Sequence, residues 1–369
     1  MDKIRIGIIG VGAIGKYHLQ EYAKIPGAEV VAAADLNEPE LKKIAAEFKI
    51  PDVYTDYRKL LARDDIQSVD VCLHNNFHAP ITIAALRAGK NVYCEKPMAG
   101  SCVDAQAMYD AARETGRKLS IQLSTLYAKE TKVAKRLIDQ GKLGKVYHAR
   151  STGHRRRGRP YVDGYGTASF VKKETAAGGA LYDMGVYHIA QMLYLLGLPA
   201  VQRVSGKVYQ EIEMDANRRK ISGYDVEELG LGFVKFAGGI TLDIIESWAI
   251  NMNAFEGSFV AGSVGGVRLQ PFSYHTTIAD VDQDSTFDIN YVDYRWHKLV
   301  ETEPNYDAYD GSQQHWIAAQ QGRVALLPTA ELALQTMLIS EAIYLSDKLG
   351  REVTAEEVKA QSKSSAVKV

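Results

Sequence analysis

The chain has 369 residues, 46 % of them hydrophobic and 24 % charged, and a formal net charge of −1. That length favours two domains over a single core, and the near-neutral balance offers nucleic acid or an anionic membrane no electrostatic purchase. Three cysteines, Cys72, Cys94 and Cys102, are too few and too irregularly spaced for a disulfide framework or a zinc site, so no metal is expected and the compartment reads as reducing, the cytoplasm.

From the N-terminus the chain enters a strand by Ile4, with no basic-then-apolar leader, and nowhere carries the roughly 20 apolar residues of a membrane span. Ile4, Ile6, Ile8 and Ile9 form that strand, and Gly10-Val11-Gly12-Ala13-Ile14-Gly15 follows at once. Gly10 allows the tight turn, Gly12 lets a pyrophosphate approach bare backbone, and Gly15 lets the helix pack on the strand. The helix opening at Ala13 and Ile14 aims free N–H groups and its positive end at that phosphate. Val30–Ala34 is a second strand, ending at Asp35, 20 residues beyond Gly15, where a carboxylate can accept the ribose hydroxyls. Asp35 repels a 2′-phosphate and Leu36-Asn37-Glu38 supplies no cation for one, so NAD is favoured over NADP.

Helix and strand continue to alternate. Pro39–Phe48, Tyr57–Arg63, Ala79–Ala88 and Val103–Glu114 read as helices, and Val69–Leu73, Asn91–Cys94 and Leu119–Leu123 as strands. This predicts a doubly wound parallel sheet in residues 1–124, with ligands beyond the carboxyl ends of its strands: Gly10, Asp35, Leu73, His74, Asn75, Glu95, Lys96 and Gln122. After a helix at Lys129–Gln140 the texture changes to strand-like runs: Val201–Tyr209, Leu229–Phe236, Ile240–Trp248, Phe255–Ala261 and Val264–Leu269. Phe236-Ala237-Gly238-Gly239-Ile240 signals a hairpin. A second, α+β domain with a largely antiparallel sheet is expected over 125–369. Near its end Leu334, Met337, Leu338 and Leu345 mark a helix face, and the Lys- and Ser-rich tail from Lys359 reads as loose.

Two stretches carry chemistry. In Glu95-Lys96-Pro97 the proline keeps Lys96 extended at a strand end, projecting into the cleft, where an ammonium can stabilise a developing alkoxide. In Gly178-Gly179-Ala180-Leu181-Tyr182-Asp183-Met184-Gly185-Val186-Tyr187-His188, Asp183 and Tyr187 are four apart and share a helix face, with His188 about 100° round.

With these stretches, Val226-Glu227-Glu228, Glu246-Ser247-Trp248 and the Gly322-Arg323 region in this order, the chain resembles the Gfo/Idh/MocA family of glucose–fructose oxidoreductase, inositol dehydrogenase and their relatives. The resemblance implies a Rossmann domain followed by an open-faced mixed-sheet domain, NAD(P), sugar or polyol substrates, and homodimers, homotetramers or larger homo-oligomers. It also implies a catalytic Asp183 followed four residues later by His or Tyr. Leu196-Gly197 at the usual distance puts Tyr187 in that place, with His188 as a rival that titrates nearer neutrality. His74 stands where relatives usually have proline, and His78 matches the family's histidine at a helix start; each either contacts cofactor or merely packs or caps. The segment from His154 to Tyr161 reaches the cleft in the family, which makes Arg157, Arg159 and Tyr161 substrate-binding candidates beside Lys96, Asp183 and His188. Trp248, Trp296 and His297 are further candidates, with core packing favoured for Trp248.

The reading is an NAD-dependent oxidoreductase acting on a secondary hydroxyl of a sugar, glycoside or polyol, including position 3 of a glucoside. Its rivals are an NAD-dependent glycosidase working by transient oxidation and elimination, and a non-catalytic NAD-sensing regulator.

Overall fold

Ile4–Ile9 (β1) is buried almost throughout because it runs down the middle of a parallel sheet. In the computed structural model, which describes residues 3–297 and 305–369, the chain continues as Ala13–Tyr22 (α1), Ala28–Ala34 (β2), Glu38–Phe48 (α2), Asp52–Tyr54 (β3) and Tyr57–Leu61 (α3). Ser68–Val71 (β4), Asn75–Arg87 (α4), Asn91–Cys94 (β5), Cys102–Thr115 (α5) and Leu119–Ile121 (β6) complete a six-stranded sheet of order β3-β2-β1-β4-β5-β6. All its strands are parallel. The strand order reverses between β1 and β4, so the glycine turn after β1 opens onto the crevice where such sheets bind ligands.

Lys129–Asp139 (α6) leads to Val146–His154 (β7), Lys173–Ala176 (α7), Val186–Leu195 (α8), Val201–Tyr209 (β8), Ala216–Ser222 (α9), Leu229–Phe236 (β9) and Thr241–Ser247 (β10). Then come Phe259–Gly262 (β11), Gly265–Arg268 (β12), Ser273–Ile278 (β13), Val281–Thr286 (β14), Val292–His297 (α10), Ser312–Gln320 (α11), Thr329–Leu349 (α12), Val353–Thr354 (β15) and Ala355–Gln361 (α13). The second sheet has nine strands in the order β14-β13-β12-β11-β7-β10-β9-β8-β15. Its pairs are antiparallel except β7 with β10. Fold class and hairpin stand as predicted: Gly238 and Gly239, both at positive φ, turn β9 into β10.

Helix α12 packs on both sheets. Its Ile343 fills the space left by Gly206 and Gly232, where an added Cβ would come within 2.7 and 2.6 Å of it. At its start Thr329 Oγ1 accepts the Ile121 N–H at 3.1 Å. Leu334 and Leu345 only flank the buried face; Leu332, Thr336, Met337, Ile339 and Ile343 make it. The expected loose tail is instead stitched to the first sheet's helices. Ser362 Oγ accepts the Val103 N–H at 3.0 Å, and Asp104 accepts the Ser365 N–H at 2.9 Å. Pro80 inside α4 has no N–H to give, which leaves the Asn76 carbonyl free to accept from Val367 at 3.1 Å. The polar residues that read as solvated are partners for helix ends. Sequence periodicity also missed the short β3 and the hairpin β13–β14, whose half-exposed polar residues carry no alternating apolar signal. Among the described residues no helix is long and apolar enough to cross a membrane.

Candidate active site

The glycine turn is shaped by contact. A Cβ on Gly10 would lie 2.2 Å from the Cys72 carbonyl oxygen and one on Gly15 2.1 Å from that of Gly10, whereas one on Gly12 would meet nothing within 4 Å. Gly12 therefore borders open space, and no side chain caps the helix that starts beside it, so first-turn N–H groups at Ala13 and Ile14 face outward. Asp35 bends back over the turn, its Oδ2 accepting the Val11 N–H at 2.9 Å and its Oδ1 that of Asn37 at 2.8 Å. Each oxygen keeps a lone pair for a ribose hydroxyl. An open glycine cradle, an uncapped helix start and a fixed acid suit a dinucleotide.

Across the crevice, Lys96 leaves β5 and reaches the turn that opens α8. Its Nζ is 2.9 Å from Asp183 Oδ1 and 3.1 Å from the Asp183 carbonyl oxygen, and stands 4.9 Å over the centre of the Tyr187 ring. Leu181–Gly185 is wound as a single π-type turn before α8, a local widening common at functional sites. Tyr187 Oη donates to Gln122 Oε1 at 3.1 Å. Trp248, fully buried, donates its Nε1–H to Asp183 Oδ2 at 3.0 Å. Burial opposes the Lys96 charge, but Asp183, Tyr187 and Glu95 together raise its pKa above the ordinary lysine range. Burial would likewise raise the Asp183 carboxyl, yet Lys96, the Trp248 indole and Arg155 hold it below the usual carboxylate range. Burial lifts the Tyr187 phenol, and Lys96 offsets only part of that. At neutral pH this is an ammonium, a carboxylate and a phenol in contact.

His188 points elsewhere. Its Nδ1 is 2.9 Å from Glu246 Oε2, on a carboxylate that also accepts from Ser151 Oγ at 3.0 Å. Burial lowers its pKa but Glu246 more than restores it. Gly153 makes the room, since a Cβ there would sit 2.1 Å from Glu246 Oε2 and 2.6 Å from the His188 ring. Gly178 lies against the rings of Tyr182 and Tyr344, and Gly179 against Glu227. Glu227 accepts the Gly179 and Leu181 N–H groups at 2.8 and 3.0 Å, and so fixes the start of the Asp183 turn.

Several residues assigned from sequence are held otherwise. Glu95 is buried against His18 and takes no side-chain place in the crevice. His78 is buried, with Nδ1 2.7 Å from the Pro97 carbonyl oxygen and Nε2 3.0 Å from that of Leu73, so it ties two crevice loops together. His74 is exposed at the start of α4, and Asn75 donates to the Ala176 carbonyl at 2.8 Å, across to the second sheet's side. Arg159 is fully buried, donating to Asp163 at 3.0 Å and to Glu228 at 2.9 Å, which removes it from sugar binding. Arg157 is mostly exposed, 3.8 Å from Asp163, and Tyr161 is half-buried with φ at 62°. Trp296 and His297 pack edge-on against Tyr306.

Within the segment from His154 to Tyr161 the cation that approaches Asp183 is Arg155, its Nη1 3.9 Å from Oδ2, with Tyr165 Oη as a further partner. The strand period held the signal: Ala149, Ser151 and Gly153 are the buried alternates of β7, and Arg155 is next in phase.

The sequence pattern of the family described as "Oxidoreductase family, NAD-binding Rossmann fold" matches residues 4–123, and that described as "GFO/IDH/MocA C-terminal domain" matches 131–268. The chain is 30 % identical over 282 residues to a D-glucoside 3-dehydrogenase of Escherichia coli, covering 74 % of this chain and 79 % of that one. It is 34 % identical over 145 residues to an inositol 2-dehydrogenase of Pseudomonas savastanoi, covering 38 % of this chain and 43 % of that one. A levoglucosan dehydrogenase solved in complex with NADH and levoglucosan superposes with a TM-score of 0.75 at 22 % identity, over 96 % of this chain and 100 % of that one.

Proposed function

The chain belongs to the Gfo/Idh/MocA oxidoreductase family, whose N-terminal domain binds NAD, and from that premise we propose an NAD-dependent dehydrogenase of a secondary hydroxyl on a sugar, glycoside or polyol. Position 3 of a glucoside is the foremost target, because a relative 30 % identical and aligned over 79 % of its own length is a D-glucoside 3-dehydrogenase. The observation that carries the proposal is the convergence of Lys96, Asp183 and Tyr187 across the crevice from an open glycine cradle. Gly10, Gly12, Ala13, Ile14 and Asp35 would hold the dinucleotide, with Leu73, His74 and Gln122 along its path. Bound NAD supplies a hydride acceptor.

The chain's own residues handle the proton. Lys96 and Tyr187 lie in contact, so whichever of them has first released its own proton to solvent can take the hydroxyl proton, while the other, still protonated, donates a hydrogen bond to the same oxygen as negative charge develops. Asp183 keeps Lys96 oriented and accepts a neighbouring sugar hydroxyl. Arg155 lies beside it to bind another, and His188 with Glu246 stands as a second titratable pair.

The same proposal assigns residues 1–124 to the nucleotide and 125–369 to the sugar and to self-association. Leu231, Phe233 and Ile245 line the face of the second sheet opposite Ile343, half-buried or exposed, and suit a homo-oligomer. Three buried free thiols suit the cytoplasm.

The test is NADH formation with a panel of glucosides, free sugars, inositols and uronic acids. Continued turnover past one NADH per subunit supports a dehydrogenase and names its substrate class. A rise that stops at one favours trapped cofactor and the elimination route, and none with any sugar overturns the proposal.

A further inference from the structure

The glycine-turn helix holds a charged group that the chemistry above does not use. His18, on α1, is fully buried. Its Nδ1 lies 2.8 Å from Asp70 Oδ2 at the end of β4, and its Nε2 lies 2.7 Å from Glu95 Oε1 just beyond β5. Glu95 Oε2 in turn accepts the backbone N–H of Lys96 at 3.0 Å. A neutral imidazole has one N–H and an ionised carboxylate none, so two short contacts to two carboxylates require a second proton on the triad. Burial works against the charged ring, but Asp70 raises the His18 pKa well above its ordinary value. Burial would also raise Glu95, yet His18 and Lys96 bring it below the usual range. That second proton lets the ring bond both carboxylates at once. Cys72 Sγ is 3.2 Å from Nδ1, but the 2.8 Å Nδ1–Oδ2 separation is a hydrogen bond, closer than the ~3.3 Å between two ligands of one tetrahedral zinc.

Buried ion pairs contribute little net stability compared with a well-packed apolar core, so this one asks for another role. Its position supplies one. The parallel ladder ends at Cys94, and Lys96 is the first residue past it whose N–H has a side-chain acceptor, Glu95. On the far side of Lys96, the Pro97 carbonyl is held by His78. Lys96 thus hangs between two clamps, and the first is anchored through His18 to the helix that starts at the nucleotide cradle.

We propose that His18 is a positioning residue: through Glu95 it fixes the backbone of Lys96, and so couples the glycine-turn helix to the proton-handling lysine. The inference rests on the reading of Lys96 as the proton-handling group.

Two substitutions separate the two contacts, because an Asn amide nitrogen falls where Nδ1 was and a Gln amide nitrogen where Nε2 was. His18→Asn keeps the Asp70 bond and loses Glu95; His18→Gln keeps Glu95. With NAD and whichever of methyl β-D-glucoside, levoglucosan and myo-inositol the wild type turns over fastest, His18→Asn should lower kcat roughly 10- to 100-fold, the scale of an ångström misplacement. His18→Gln should stay within about fivefold, and NAD affinity should stay within about threefold in both. In crystals of the Asn variant, Lys96 Nζ should leave hydrogen-bond distance of Asp183, a readout independent of turnover. Equal kcat losses in the two variants, or an unmoved Lys96, overturn the proposal. Should the Asn variant fail to fold, Glu95→Leu against Glu95→Gln asks the same question, and similar kcat values for that pair overturn it. Full activity in Lys96→Ala would instead sink the reading of Lys96, an outcome separate from the His18 split.

Discussion

Lys96 Nζ is held by both the carboxylate and the backbone carbonyl of Asp183, at 2.9 and 3.1 Å, so one lysine joins the end of a strand in the first sheet to a helix start on the second. A side chain pinned twice at one end has little freedom left, and its Nζ stands over the Tyr187 ring. The contact assembles the site and fixes its charge in a single step.

Replacing Lys96 by Ala removes both functions. Turnover should fall by about a thousandfold, within the range for losing a positioned acid or base. NAD affinity should change little, because Gly12, the start of α1 and Asp35 lie on other elements. Steady-state kinetics beside a fluorescence titration of NADH checks both halves. A variant that keeps more than about a tenth of wild-type turnover would remove Lys96 from the chemistry.

The direction of the reaction should depend on pH with a definite sign. Burial keeps the Tyr187 phenol protonated, and Asp183, Tyr187 and Glu95 keep Lys96 protonated against its burial. Reduction of a ketone therefore finds its proton donors loaded at neutral pH. Oxidation must first strip one of them, so its kcat/KM should climb up to tenfold per pH unit through the alkaline range, while that of reduction holds and then falls. Profiles in both directions decide it. An oxidation rate flat between about pH 6 and pH 9 contradicts the assignment.

What was legible in the sequence was whatever sterics alone enforce. Gly10 and Gly15 admit no Cβ, Asp35 sits at the end of β2, and Pro97 keeps Lys96 extended, so each announces itself locally. His18 does not. Its partners lie 52 and 77 residues away, so nothing beside it on α1 signals them. Arg159 and Arg155 look alike in sequence, and only tertiary contacts with Asp163 and Glu228 separate a structural cation from one in the cleft. Glu227 was visible as part of a motif, but the glycine it explains, Gly179, lies 48 residues upstream of it.

Trp248 joins core to chemistry. Its ring is fully buried, and its indole N–H is a fixed donor to the Asp183 oxygen that does not face Lys96. Trp248→Phe keeps most of the packing and deletes the donor. Stability should fall by about 1.5 to 3 kcal/mol, the range for a hydrogen bond to a charged group. Freed on that side, Asp183 should swing, and kcat should fall about tenfold. Urea denaturation with initial rates on the folded variant separates these effects, and unchanged kcat would reduce Trp248 to a core residue.

Arg155 and Arg159 should separate substrate binding from stability. Arg159→Met leaves Asp163 and Glu228 without their buried cation, which should destabilise the fold by about 3 to 5 kcal/mol. Whatever folds should keep its KM for sugar, because that guanidinium never reaches the cleft. Arg155 is 40 % exposed and stands off Asp183 by 3.9 Å, so Arg155→Met should change stability by less than about 0.5 kcal/mol. Its KM for sugar should rise about tenfold, the cost of one charge-assisted hydrogen bond. If Arg159→Met raises KM and Arg155→Met does not, the buried network is transmitting strain to the cleft, and the substrate approaches from another side of Asp183.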